Sequence, residues 1–224
     1  MPVAATRHRQ TSRYADRVEA GRALGDAVAT TGPLPRPVVL GLPRGGVPVA
    51  VGVAARLLAP LEVIVVRKIG APGRPELAMG ALAMIGPQVS LYRNEDIITA
   101  LRVSEAAFGA AHERELAELR RRGGAFSRAD PTPVSGADVV LVDDGLATGS
   151  TMLAAVAAVR TLRPARVVVA APVASRQAVQ ALAAVADDVV CPLVPARFTA
   201  VGLAYTDFHQ LTDEEVDTLL RSAT

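Results

Sequence analysis

The chain contains no tryptophan, four Phe, three Tyr, one Cys and three His among its 224 residues. Each scarcity excludes something. With aromatics at 3%, the sequence lacks the interleaved rings that stack on bases, so nucleic acid is disfavoured as a partner. A lone Cys191, in "DDVVCPLV", rules out an internal disulfide framework and a Cys-based metal cluster, and reads as a small core residue. His8, His112 and His209 show no ligand spacing and receive no chemistry. No run reaches the ~18–20 apolar residues of a membrane span. The basic start "MPVAATRHRQTSR" is not followed by an apolar stretch, so no signal peptide is expected and the cytoplasm is the expected compartment. Charge is nearly balanced, at 24 Lys and Arg against 22 Asp and Glu, a net of +2.

What is abundant is small aliphatic residues. Half of the chain is apolar, enough for a core without external staples. Five Val-rich runs, at 37–42, 61–66, 138–142, 165–173 and 188–194, are nearly continuous rather than alternating, as parallel strands covered on both faces require. Helical patterns separate most of them: Val47 to Leu58, Met152–Val156–Val159, and Ser175 to Val185. Ahead of these, Tyr14, Val18, Gly21, Leu24 and Val28 mark one face of an N-terminal helix, and "QLTDEEVDTLL" reads as a terminal helix with Thr212 as cap and Glu215 three residues on. The alternation predicts an α/β protein with a doubly wound, mainly parallel sheet.

The stretch from 67 to 137 breaks this rhythm. "RKIGAPGRPELAMG" reads as a Gly/Pro-rich loop, "ALAMIG" and "QVSLYR" as a hairpin, and "AAHERELAELRRR" as a helix with a solvated face. In that helix Arg114, Glu118 and Arg122 stand at four-residue intervals; a homodimer contact or a lid is the alternative use of this face.

The most informative segment is "VVLVDDGLATGST", Val139 to Thr151. A buried strand ends in two acids, Asp143 and Asp144, at the carboxyl edge where open α/β sheets bind ligands. Gly145, Leu146, Ala147, Thr148, Gly149, Ser150 and Thr151 then form a turn whose N–H groups and hydroxyls suit a phosphate at the start of a helix. Ionised carboxylates accept hydrogen bonds and so suit hydroxyl groups. A phosphate beside a vicinal diol is a sugar phosphate. The loop has no Gly-Lys-Ser/Thr ending, which excludes a nucleoside-triphosphate P-loop. "GLPRGG" does not supply the dinucleotide fingerprint.

This segment resembles the phosphoribosyl-pyrophosphate (PRPP) motif of type I phosphoribosyltransferases, and the similarity extends over about residues 37–192. The overall likeness is to uncharacterised predicted bacterial phosphoribosyltransferases, some found beside hydrolase domains. The resemblance implies one phosphoribosyltransferase-like domain over 1–224, with a core at about 37–192, a helical insertion at about 94–130, and a small hood from about 8–16 and 193–212. It implies a sheet with the acid-pair strand at its centre. It also implies displacement of pyrophosphate from PRPP by a nitrogenous base or related small acceptor, with substrate-bound magnesium and no metal held mainly by protein. Asp143, Asp144 and Arg44 become the catalytic candidates, and Gly145 to Thr151 the 5-phosphate loop. Arg44, Gly45, Gly46, Arg67 and Lys68 become pyrophosphate contacts, with Arg74 a further candidate in a mobile covering loop. A non-proline cis peptide is expected at or next to Pro43–Arg44.

Ala147 stands where relatives acting on 6-oxopurines carry an acid, which leaves the general base open; Glu76 is a weak candidate. Acceptor contacts are expected from Arg13 and Tyr14 and from Phe198, Tyr205 and Phe208. A non-catalytic PRPP- or nucleotide-sensing regulator is the alternative function.

Overall fold

Alternate side chains of the Val-rich runs feed two different cores, and that division builds the fold. The computed structural model describes residues 13–126 and 131–222. Its elements are α1 (Arg17–Ala29), β1 (Pro37–Gly41), α2 (Gly46–Leu57), β2 (Leu61–Ala71), β3 (Arg74–Ile85), β4 (Gln88–Arg93), α3 (Glu95–Ala100), α4 (Glu105–Gly123), β5 (Asp138–Val142), α5 (Ser150–Arg160), β6 (Arg166–Ala170), α6 (Arg176–Ala183), β7 (Asp188–Val190) and α7 (Asp213–Ser222). They form one seven-stranded sheet of order β4-β3-β2-β1-β5-β6-β7. Along that order the pairs from β2 to β7 are parallel, and β3 and β4 add an antiparallel edge.

In the parallel part Val39, Val140 and Val168 stand in register, and Leu40, Leu141 and Val169 in the next row. Successive strand residues face opposite ways. Leu40, Val139, Leu141, Val167 and Val169 therefore pack on Met152, Ala155, Val156 and Val159 of α5. Val39, Val140, Val142, Val168 and Ala170 pack on Leu24 and Val28 of α1 and on Val49, Ala50 and Val53 of α2. The α/β, doubly wound, mainly parallel architecture is thus present, with β5 the middle strand of the five parallel ones. Helices α1 and α2 touch backbone to backbone: a Cβ on Gly21 would lie 2.7 Å from the Val49 carbonyl oxygen. This close seating holds the start of α1 near the carboxyl edge of the sheet.

Three expectations change. "RKIGAPGRPELAMG" is not a loop; it forms the two arms of a long hairpin, with Arg67↔Leu82 and Lys68↔Ala81 paired. Pro72 and Gly73 make its turn, Gly73 at φ 69°, as a Pro-Gly turn requires. The Gly and Pro residues that suggest a loop are confined to this tip and to a register shift at Ile69–Gly70–Ala71. Val18 is 46% exposed, and Arg17 takes the inward position beside Ala20, Gly21, Leu24 and Val28. β7 is shorter than the apolar run that encodes it.

The hairpin following that tip, the terminal helix and the insertion helix are where the sequence puts them. Thr212 and Glu215 cap α7 reciprocally, Thr212 N–H to Glu215 at 2.7 Å and Glu215 N–H to Thr212 Oγ1 at 3.2 Å. In α4, Glu118 accepts from Arg121 and Arg122, while Arg114 turns to the Ala110 carbonyl. The apolar side of α4, with Phe108, Ala111 and Leu119, covers Val63, Val65, Leu82 and Met84 of the hairpin. The parts of the expected hood at 8–12 and of the insertion at 127–130 lie outside the described residues. Among the described residues no helix is long and apolar enough to cross a membrane.

Candidate active site

Strands β1 and β5 are neighbours, yet the chain leaves them in opposite directions, β1 toward β2 and β5 toward β6. Their carboxyl ends therefore open a crevice at the switch point of the sheet. Two loops fill its walls. After β1 the Leu42 N–H still bonds the Val142 carbonyl at 2.9 Å, and then Pro43–Arg44 is a cis peptide leading to Gly45 and Gly46. After β5 come Asp143, Asp144 and the turn to Gly149, the cap of α5.

The two loops touch. A Cβ on Gly46 would lie 2.6 Å from the Val142 carbonyl oxygen and 2.9 Å from Asp143 Cα, and one on Gly45 would overlap the Asp144 carboxylate. Only glycine permits this approach. A cleft of about 320 Å³ lies between Arg44–Gly45, Asp144 and the segment Phe208 to Leu211.

The acid pair is held by specific contacts. Asp143 accepts the Asp144 backbone N–H at 2.8 Å. Asp144 Oδ2 accepts Arg17 Nε at 2.8 Å, an ion pair whose side chains are 14% and 9% exposed. Arg17 also donates Nη1 to the His209 carbonyl at 3.0 Å, and its guanidinium carbon lies 3.9 Å from the centre of the Phe208 ring. Burial pushes the Asp143 carboxyl well above its ordinary range, the neighbouring Asp144 charge adds to this, and the Asp144 N–H and Arg17 oppose it. Burial also raises Asp144, against the bond and charge of Arg17. Burial drives the Tyr205 phenol up, helped by the Asp144 charge, and pushes Tyr14 up to about 12, so both phenols stay neutral.

In the turn, Thr148 Oγ1 lies 3.2 Å from Ser150 Oγ and accepts the Ser150 N–H at 3.3 Å. Ser175, the cap of α6, donates to the Ala147 carbonyl at 2.6 Å and so braces the turn from behind. Lys68 Nζ reaches Ser150 Oγ at 3.4 Å. It is the only lysine in the sequence. Arg67, one residue earlier on β2, points to the other face and pairs with Glu115 of α4 at 2.7 Å. The expected grouping of Arg67 with Lys68 therefore does not occur, because neighbouring strand residues face opposite sides of a sheet. Arg44 is half-exposed, 3.9 Å from Asp213. Arg74 and Glu76 are exposed near the hairpin tip.

The aromatic candidates form a cover over the acids. Tyr205 donates to the Asp144 carbonyl at 2.5 Å, stacks on Phe208 with ring centres 5.0 Å apart, and lies 5.8 Å from Tyr14. Tyr205 is 2% exposed and Tyr14 3%, so their rings serve as packing. Phe198 packs against the same small cluster, and Arg13 donates to the Leu203 carbonyl at 2.8 Å. Arg17 is the residue of this candidate site that sequence reasoning missed. Its signal was present: Arg17 lies four and seven residues ahead of Gly21 and Leu24, on the inward stripe of α1. A charge there calls for a buried partner. Among the described residues no group of three or more His, Cys, Asp or Glu converges on a point where a metal would sit.

Residues 17–206 match the family model for the phosphoribosyl transferase domain. Two curated relatives from Mycobacterium tuberculosis, strains CDC 1551 / Oshkosh and H37Rv, each named "Putative phosphoribosyl transferase", are 44% identical over 211 residues. The match covers 94% of this chain and 47% of each relative, so the chain spans about half the length of the curated relatives it matches. The crystal structure of TT1426 from Thermus thermophilus is 47% identical, superposes with a TM-score of 0.83, and is covered to 98% by 94% of this chain. With its acid pair, small-residue turn and glycine-lined switch point, the chain belongs to the phosphoribosyl transferase domain family.

Proposed function

We propose that the protein binds PRPP across the switch-point crevice and transfers its phosphoribosyl group to a nitrogenous acceptor. The observation that carries this reading is the contact of the two loops, which brings an acid pair, an anion-suited turn and an Arg-Gly-Gly segment to one edge. In this reading the turn from Gly145 to Thr151, with the N–H groups that open α5, takes the 5-phosphate. Asp143 and Asp144 accept the ribose hydroxyls and favour the positive charge that develops at C1. Arg44, the Gly45 and Gly46 amides and Lys68 hold the pyrophosphate, Arg44 through its forked donors. Arg67 is left out of this set because Glu115 engages it.

The C1–oxygen bond breaks with its electron pair leaving on pyrophosphate, a C1–nitrogen bond forms, and the acceptor's N–H proton is released to water. Fixing the two phosphate ends apart and in line with the acceptor supplies the rate gain. Among the described residues the two acids have no third ligand beside them, which suits a magnesium ion carried by the substrate's phosphate oxygens and water, where it would neutralise leaving-group charge.

Calorimetric titration with PRPP and magnesium, followed by a screen of bases for pyrophosphate release, tests the reading. Binding with base-dependent release is expected. Asp144→Asn should weaken PRPP binding at least about tenfold while leaving the fold intact. Binding without release from any base would favour the sensing alternative, and no binding would sink both the transferase reading and PRPP sensing.

A further inference from the structure

Asp144 is held by a cation from a distant element rather than by its own loop alone. Arg17 reaches it from 127 residues away in sequence and at the same time holds the His209 carbonyl and lies against the Phe208 ring. One side chain thus connects three separate segments: the start of α1, the end of β5, and the cover over the cleft. It is 8% exposed, and its charge is matched by one carboxylate oxygen, Oδ2. Among the described residues nothing bonds the other oxygen, Oδ1, which is the one left to accept from a ligand.

Resting on the PRPP reading above, we propose that Arg17 is a positioning residue for phosphoribosyl transfer: it holds Asp144 ionised, with Oδ1 directed to the ribose hydroxyls, and fixes the Phe208–His209 cover against the same carboxylate.

The physical argument is a balance of opposing effects. Burial favours a protonated Asp144 while the bond and charge of Arg17 oppose it, and a protonated acid would bind ribose hydroxyls poorly and give no charge to the transition state. The groups facing Asp144 are Arg17 from α1, Asp143 on its own loop, Tyr205 from the cover and Arg44 across the cleft, with Tyr14 and His209 behind them. Among the described residues, Arg17 is the one cation bonded to the carboxylate. A lysine at this place would keep the charge but not the planar contact with Phe208 or the second bond to His209.

PRPP affinity with magnesium, measured from acid to neutral pH, should be compared among wild type, Arg17→Lys and Arg17→Met, with the Asp144 carboxyl titrated by carbon-13 NMR in each free protein. In Arg17→Met we expect affinity at pH 7 to fall about tenfold to a hundredfold, and its acid limb and the Asp144 titration to move up by about one pH unit. Arg17→Lys should recover the titration but only part of the affinity. It is also the variant that keeps the test alive if the Met variant does not fold. An Asp144 titration unmoved in Arg17→Met, or unchanged PRPP affinity in both variants, would overturn the proposal. Failure of wild type to bind PRPP would instead overturn the functional reading, and the NMR titration alone would then decide whether Arg17 governs Asp144.

Discussion

At the scale of single residues, the acid pair sets function against stability. Asp143 is buried beside a second carboxylate, and both effects raise its pKa in the folded protein. The folded state then holds this proton more tightly than the unfolded chain does. Asp143 therefore favours folding below the ordinary carboxylate pKa of about 4, and loses that contribution as pH rises through its folded value. Asn at this position can still accept the Asp144 N–H but carries no charge. Asp143→Asn is expected to raise the melting temperature by a few degrees at pH 8, with the gain shrinking as pH approaches 4. Thermal melts of the two proteins across this range test it; a gain that is constant with pH would mean that ionisation is not the cause. The same substitution should reduce PRPP affinity.

Secondary-structure elements decide which charges reach the site. β2 carries Arg67 and Lys68 side by side, and its pleat sends them to opposite faces, one to Glu115 on α4 and the other to Ser150 at the head of α5. Lys68→Met is expected to weaken PRPP binding about tenfold, the scale of one charge-assisted hydrogen bond. Arg67→Met should leave it within about twofold and lower stability by up to about 1 kcal/mol, as a partly exposed ion pair does. Calorimetry and urea unfolding on both variants separate the two roles; equal losses of affinity would refute the division. Because Lys68 is the chain's only lysine, amine acetylation should modify this side chain and the N-terminus alone, and bound PRPP should protect the former.

Over the whole molecule, one sheet joins the three larger apolar clusters, and the aromatic cluster sits beyond its carboxyl edge. Its two faces are packed by α5 and by α1 with α2, α4 seals the hairpin, and Tyr14 joins Tyr205 in the cluster that roofs the acids. Unfolding is expected to be a single transition, with tyrosine fluorescence and far-ultraviolet circular dichroism coincident in urea. The cover carries two of the three Tyr residues, so a cover that opened on its own would show as an earlier fluorescence change. Saturating PRPP at about a hundred times its dissociation constant should add about 2.7 kcal/mol to that stability. No shift at such a concentration would mean that the crevice does not bind PRPP in the native state.

The parts of this protein that its sequence determined by itself are those encoded by neighbours along the chain. Continuous aliphatic runs specify strands buried on both faces, and "VVLVDDGLATGST" specifies a strand end, an acid pair and an anion-suited turn within thirteen residues. The capped α7 is equally local, since Thr212 and Glu215 are three apart. The segment 67–80 is a hairpin and not a loop: Gly and Pro mark turns, and the sequence does not say that two such residues end a hairpin whose arms are held by pairing and by α4. Tertiary structure alone decided that Arg17 meets Asp144, that Arg67 turns from the crevice, and that Tyr205 and Phe208 roof the acids. Each of these joins residues from different elements, Tyr205 from 61 positions beyond Asp144 and Arg17 from 127 before it. Such partners are selected by the cost of leaving a charge or a carbonyl buried without a bond, and that cost exists only once the sheet and its helices have closed around them.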